Sequence, residues 1–391
     1  MRAYMKIINI KVSGLPLFKE DLDIHFYASQ RVQDGSEENL YQILPKVFLN
    51  NVNGFIGINA SGKTTVLRTI DFTLHLLNND PLNHIQTRDI LGNTEKAVFD
   101  IIFLNNQKQV CRLVTTIRTK KIYINFEPRY CITEEELYTK PLESVKYKKQ
   151  LTDFAGCTNL VRRNGTEDFL SDDISVVIAM NKRNQDHIFI SSLLELTDVN
   201  VLEFTEEIPD EIIKFLDPSI ESIHIDKEDK GGQIHLKFIG QEEILLNRIE
   251  ELNGYLSSGT VKGIRTFNDA IAVLQRGGYL LMDEIEDHFN REIVATLIRF
   301  FMDTKVNKYG ASLIFSTHYP ELLDEFNRND CIYITRKRDG ITVENLSSIL
   351  KRNDIKKSDA YQSGFLEGTV PIYESYMDLR KEIQRSMKQE G

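Results

Sequence analysis

The sequence predicts an α/β fold built on a mainly parallel sheet, with an antiparallel β region and a mainly helical insertion. Three observations carry that expectation. A strand-like segment, Val52–Ile56, leads into a Gly-rich turn and then a helical pattern. Residues 97–126 hold three short β-like runs. The last third alternates helix-like and strand-like segments, the texture of parallel strands joined by crossover helices.

In chain order, Met5, Ile7, Ile8 and Ile10 lie among polar neighbours and read as a first strand. The polar stretch Gln30–Asn39 holds the turn pair Asp34-Gly35 and reads as a surface loop. Val52–Ile56 is the next strand. Thr64–Leu77 places Val66, Leu67, Ile70 and Leu74 at helical spacing, with Pro81 stopping the pattern. Val98–Leu104 and Val110–Ile117, joined at Asn105-Asn106, and then Ile122–Phe126 read as an antiparallel meander.

From about Thr133 to Asn253 the chain becomes charged and reads as mostly helical. Glu134–Glu136, Lys146–Lys149 and Glu206–Glu211 are taken as solvated blocks. Ile220–Ile225 and Ile234–Ile239, flanking Gly231-Gly232, form a hairpin within it. A helix over Val261–Leu274, a strand over Tyr279–Met282, a helix over Arg291–Met302 and a strand over Ser312–Ser316 complete the pattern. The expected division is 1–130, 131–250 as an insertion or lid, and 251–391.

The composition of the 391 residues, 41% apolar and 27% charged with 21 Gly and 9 Pro, excludes disorder and collagen. No apolar stretch approaches the roughly 18 residues of a membrane span. Met1–Gly14 lacks the uninterrupted apolar segment of a secretory signal, so a cytoplasmic protein is expected. Cys111, Cys131, Cys157 and Cys331 form no C-x-x-C pair and read as reduced thiols rather than a zinc site. A net charge of −10 disfavours non-specific attachment to nucleic acid through the whole surface.

The first chemical motif is Gly57-Ile58-Asn59-Ala60-Ser61-Gly62-Lys63-Thr64, which fits G-x-x-x-x-G-K-[ST] between strand and helix. Glycines let backbone N–H groups curl around phosphate oxygens, and the helix N-terminus adds a favourable dipole. Lys63 is expected to supply charge to β and γ phosphates and Thr64 to ligate Mg²⁺; the alternative is an ordinary Gly-rich turn, which the flanking strand and helix disfavour. The second motif is Asp283-Glu284, where an apolar strand runs out at the sheet's ligand-binding edge. Asp283 is expected to hold Mg²⁺ and Glu284 to orient or deprotonate an attacking water. Apolar strands also end in acidic loops without any such role.

Two further segments fix the order: Leu256-Ser257-Ser258-Gly259-Thr260 before the strand that ends in Asp283, and Ser316-Thr317-His318 after it. With them the chain resembles the ABC-type P-loop ATPases, in particular the soluble SMC-like branch, over residues 1 to about 130 and about 250 to 370. Gly57, Asn59, Ser61, Gly62, Lys63, Thr64 and Thr65 match that family's loop, and Ala60 stands where a glycine is usual. The resemblance implies ATP and Mg²⁺. It also implies that Ser257, Ser258 and Gly259 form a variant signature loop, whose Ser257 hydroxyl and Gly259 amide contact the γ-phosphate of a second subunit. His318 is then a switch histidine. Read without the resemblance, Ser257–Thr260 is a helix-capping turn and His318 a polar loop residue.

Glu286, Asp287 and His288 fall where that family carries a loop that contacts the partner subunit; a second metal site is the alternative. Gln86 is a weak candidate for the glutamine-loop residue. His224 and His235 face each other across the hairpin as surface residues. The basic clusters Arg336-Lys337-Arg338, Lys351-Arg352 and Lys356-Lys357 are interleaved with Asp339, Glu344, Asp354 and Asp359, and read as a solvated face.

The segment Tyr361–Gly368 with Val370-Pro371 resembles the tail of small stand-alone bacterial ATPases of phage defence, including the AbiL, OLD-like and PARIS groups. Those act with an effector, often a TOPRIM-class nuclease. About seventy residues follow His318, fewer than the roughly 100 such a domain needs, so a separate effector chain is expected. The expected function is an ATP-driven switch that dimerises and controls that effector. The alternative is a DNA-binding repair or chromosome-maintenance ATPase.

Overall fold

The computed structural model describes residues 5–32, 37–124, 127–163, 170–194, 208–225, 233–366 and 373–389. It is mixed α/β with several sheets. The sheet that positions the candidate site has six strands in the order Ile190–Ser192, Tyr279–Met282, Ser312–Thr317, Val52–Ile56, Ile332–Lys337 and Ile341–Asn345. The first five run parallel and the last returns as an antiparallel hairpin partner. Val52–Ile56, Tyr279–Met282 and Ser312–Thr317 are buried along their whole length. Both faces are covered, so even Asn53, Ser316 and Thr317 on these strands are buried, and Tyr279–Met282 is a continuous apolar run.

The helix Lys63–Leu77 begins after Gly62, whose φ of 99° is left-handed, and packs its apolar stripe inward. Val66, Leu67, Ile70 and Leu74 are fully buried, each contributing about 1.5–3 kcal/mol of apolar transfer. On the other face of the sheet lies the helix Arg291–Met302, capped by Asn290, whose side chain accepts the Ile293 N–H. The helix Ser258–Arg276 is capped by Ser257 and closed by Gly277 in the left-handed region.

A second six-stranded sheet is antiparallel, in the order Leu22–His25, Lys6–Ser13, Ala97–Leu104, Gln109–Ile124, Glu127–Pro141 and Thr158–Arg163. Its apolar face shares one core with the helix Lys63–Leu77. Lys6, 2% exposed, ties the two sheets together. Its Nζ donates to the carbonyls of Gly277 and Gly310, both at 2.6 Å, where strands of the parallel sheet begin.

The meander differs from the expectation in its register along the chain. The runs expected at Val110–Ile117 and Ile122–Phe126 belong to one long strand, Gln109–Ile124, with Phe126 outside the described residues. Its partner is Glu127–Pro141, which includes Glu134–Glu136. That block is therefore a strand and not a uniformly solvated run. Glu134 is exposed and Glu135 is fully buried, as strand alternation requires. Burial pushes the Glu135 carboxyl pKa up, and three donors offset it: Thr115 Oγ1 and Ser175 Oγ at 2.7 Å and Val176 N at 2.8 Å.

The segment 131–250 is likewise not mainly helical among its described residues. It holds the strand Thr158–Arg163, the edge strand Ile190–Ser192 and a three-stranded sheet of Ile220–Ile225, Ile234–Phe238 and Ile244–Leu246. Its helices are short: Lys149–Thr152, Val177–Asn184 and Asp210–Leu216. The expected boundary after residue 130 falls inside Glu127–Pro141. The strand Ile190–Ser192 extends the parallel sheet itself, so the segment is woven into both sheets. Charge density misled the reading because half-buried strands carry charged residues on their outer face.

The expected hairpin is present, with His224 opposite His235. Its turn at Gly231-Gly232, Glu206 and Glu207, the pair Asp34-Gly35 and the tail residues 367–372 lie outside the described residues. The three-stranded sheet has its own apolar core, in which Ile213, Ile220, Ile223 and Leu236 meet Leu256, Val261 and Ile264. That core seats the start of the helix Ser258–Arg276.

Candidate functional site

Parallel strands end at one edge of their sheet, so the residues that follow them meet there. Ser312–Thr317 lies between Val52–Ile56 and Tyr279–Met282. The loop at Gly57, the acidic pair at Asp283 and the residue His318 therefore emerge side by side, although more than 200 positions of sequence separate the loop from the other two.

The Gly-rich loop closes tightly. A Cβ on Gly57 would collide with Ser61 Oγ and with Thr335, and one on Gly62 would lie 2.6 Å from Ile341 Cδ1. Ser61 Oγ shares a 2.8 Å hydrogen bond with Thr335 Oγ1 on the neighbouring strand. Asn59 and Ala60 form the exposed crest, where Ala60 has a φ of 60°. A glycine adopts that conformation without the Cβ penalty, which gives the unusual alanine a definite cost.

Lys63 is 5% exposed and uses all three of its donors. Nζ contacts Gly57 O at 2.9 Å, Ile58 O at 3.2 Å and His318 Nδ1 at 3.3 Å. Desolvation lowers its pKa, while Asp283, Glu284 and Glu286 act in the opposite direction. With Lys63 Nζ donating to His318 Nδ1, the proton of a neutral imidazole lies on Nε2, and Nε2 faces Glu284 Oε1 at 2.9 Å. Lys63, His318 and Glu284 thus form one line.

Thr64 Oγ1 donates to Asp283 Oδ2 at 2.5 Å. The other carboxylate oxygen, Oδ1, accepts a short bond from Ser316 Oγ, and Ser316 Oγ in turn accepts the Glu284 N–H at 2.8 Å. Ser316 therefore locks the acidic pair to the strand that carries His318. Glu284 has a φ of 45°, a strained value for a residue with a Cβ, and its carboxylate is turned outward and exposed.

Thr64 and Asp283 are hard oxygen donors in contact, and that donor set fits a Mg²⁺ ion with most of its waters retained. The loop amides, the start of the helix Lys63–Leu77 and Lys63 can together cradle an anion. Thr65 lies one position further into the helix and its carbonyl accepts from Thr69 Oγ1.

Ser257, Ser258 and Gly259 are not brought to this cradle. Among the described residues no hydrogen bond or ion pair joins 256–260 to 57–65. Ser257 Oγ caps its helix, accepting the Thr260 N–H at 3.0 Å, so the capping role is realised. Ser258 Oγ meets His288 Nδ1 at 3.2 Å, and a Cβ on Gly259 would sit 2.5 Å from His288 O. Ser257 and Ser258 are exposed, leaving this helix start accessible from outside.

The residues after Glu284 divide. Asp287 pairs with Lys262 at 3.1 Å and His288 with Asp287 at 3.3 Å. Glu286 does not point outward toward a partner subunit: it is buried and takes the His318 N–H at 2.5 Å. Gln86 is exposed in a short 3₁₀ turn, Gln86–Leu91, and no described contact links it to the cradle. His224 is exposed, and His235 pairs with Glu243 at 3.0 Å. Arg336 pairs with Glu344, Arg352 with Asp354 and Lys356 with Asp359, so each basic cluster is partly neutralised within the chain.

Sequence reasoning missed Thr335 and Ile341, which brace the Gly-rich loop from the hairpin 332–345. No local pattern marks them, since their role arises only when the sheet forms. No helix among the described residues is long and apolar enough to cross a membrane. Compared with known proteins, the chain matches no family model and no curated protein.

Proposed function

We propose that the chain is an ATPase switch with an ABC-type P-loop NTPase head, which pairs with a second copy when ATP is bound and controls a separate effector. The observation that carries this reading is the convergence of Lys63, Thr64, Asp283, Glu284 and His318 at one sheet edge. Phosphate binding, metal binding and water activation need these groups together, and chance motifs would leave them scattered.

The triphosphate lies against the amides of Gly57–Thr65. Lys63 exchanges at least one of its carbonyl contacts for phosphate oxygen, since its three donors are already used. Thr64 and Asp283 would hold Mg²⁺, which neutralises charge on the phosphates. Glu284, oriented by His318, takes a proton from water. The water oxygen bonds to the γ-phosphorus as the bond to the β–γ bridging oxygen breaks, giving ADP and phosphate.

The exposed Ser257 and Ser258, with Gly259 beside them, suit contact with the ATP of a second copy, which makes the interface isologous. Control of an effector, of TOPRIM class, rests on the resemblance to the phage-defence ATPases. The pairing of the basic clusters favours this over loading on DNA. Calorimetric titration tests the nucleotide site: Mg-ATP binds the wild type and fails to bind Lys63→Ala. Equal affinity in the two would refute the phosphate-loop assignment.

A further inference from the structure

Glu286 has no part in the scheme above, yet its surroundings are not those of an idle loop carboxylate. Its side chain is 8% exposed. Oε1 accepts the backbone N–H of His318 at 2.5 Å, and Oε2 is buried without a hydrogen-bond partner among the described residues. A buried carboxylate oxygen without a donor is costly, so loop stability alone gives no reason for an acid here.

The backbone around it points the same way. Glu284 and His288 have φ values of 45° and 67°, so two non-glycine residues in the left-handed region bracket Glu286. The far side of the loop is pinned to the helix Ser258–Arg276 through Asp287 and His288. Strain at both ends and anchorage on one side hold Glu286 at the amide of the residue whose ring spans Lys63 and Glu284.

We propose that Glu286 is a positioning residue: by holding the His318 backbone it keeps the imidazole between Lys63 Nζ and Glu284 Oε1, and so sets the orientation of Glu284 toward water. The inference rests on the ATPase reading. It assigns Glu286 to the turnover step and not to nucleotide binding.

Steady-state hydrolysis by Glu286→Ala, Glu286→Asp and Glu286→Gln tests it. Alanine removes the acceptor and aspartate draws it back by one methylene; each lowers kcat about tenfold or more with KM for ATP within about twofold. Glutamine keeps an oxygen for the His318 N–H and recovers most of the rate. If the alanine variant does not fold, the aspartate variant carries the test. In a His318→Ala background, Glu286→Ala adds no further loss, because it acts through the missing ring. Wild-type kcat in the alanine and aspartate variants, additive losses in the double variant, or a glutamine variant as slow as alanine would each overturn the proposal.

A readout without turnover separates this inference from the ATPase reading. With ¹⁵N-labelled histidine, the His318 ring signal is identified by its loss in His318→Ala. It reports the Nε2–H tautomer in the wild type and shifts toward the free-imidazole mixture in Glu286→Asp. An unshifted signal would contradict the positioning role even if ATP hydrolysis is confirmed. A wild type that binds and hydrolyses no ATP would remove the function while leaving the ring signal to judge Glu286.

Discussion

Thr64 Oγ1 donates a 2.5 Å hydrogen bond to Asp283 Oδ2, joining two residues 219 positions apart. Thr64 opens the helix that follows one strand and Asp283 follows another, so their contact is a product of the sheet order. Asp283→Asn keeps an oxygen for Thr64 and removes the charge. The variant is expected to bind ATP with the same affinity in the presence and absence of MgCl₂, whereas the wild type binds more tightly with it. Calorimetry at both conditions checks this, and a preserved Mg²⁺ dependence would move the metal elsewhere.

Ser257 serves its own helix as a cap and is exposed, and in the proposed dimer it faces the ATP of a second copy. Ser257→Arg therefore costs about 1 kcal/mol of cap stability and also blocks ATP-dependent dimer formation. Ser257→Asp separates the two effects, because aspartate caps as well as serine yet places a negative charge toward the partner's γ-phosphate. Light scattering on a Glu284→Gln background, with and without ATP, should show monomers for both variants. Dimers formed by either would argue against the composite site.

Ala60 holds a left-handed backbone at the crest of the Gly-rich loop. Ala60→Gly relieves that conformation, worth about 1–2 kcal/mol, and gives back part of it through a more flexible unfolded chain. A net gain of about 0.5–1 kcal/mol is expected in urea unfolding. A loss of stability would show that the alanine methyl makes contacts that outweigh the strain.

Burial pushes the Lys6 ammonium from its ordinary 10.5 down to about 7. Between those values the unfolded chain binds more protons than the folded one, so this group's contribution to stability rises with pH and is lowest below pH 7. Lys6→Met leaves the Gly277 and Gly310 carbonyls without their donor, at a cost of about 1–3 kcal/mol. The stability difference between wild type and Lys6→Met should widen in favour of the wild type from pH 7 to about pH 9.5. A difference that stays flat would mean Lys6 keeps the same charge in both states.

The parts of the site that the sequence made legible are those that local chemistry defines. Tyr279–Met282 and Arg291–Met302 fall where expected because one is an uninterrupted apolar run and the other has Asn290 as a cap. The Gly57–Thr64 loop was readable because its glycines and Lys63 lie in one stretch. Ser316 and Glu286 act through partners more than thirty positions away, and Thr335 meets Ser61 across 274. No window of sequence contains those pairs. Glu134–Glu136 misled for another reason: three acids in a row hide the alternation that buries Glu135.

In the proposed mechanism Glu284, held by His318, activates water against ATP bound at Lys63. Phosphate release from ATP by the wild type, Lys63→Ala and Glu284→Gln under single-turnover conditions tests it most directly. The wild type should release phosphate, Lys63→Ala should neither bind nor hydrolyse, and Glu284→Gln should retain uncleaved ATP through a long incubation. Phosphate release by Glu284→Gln at the wild-type rate would contradict the claim.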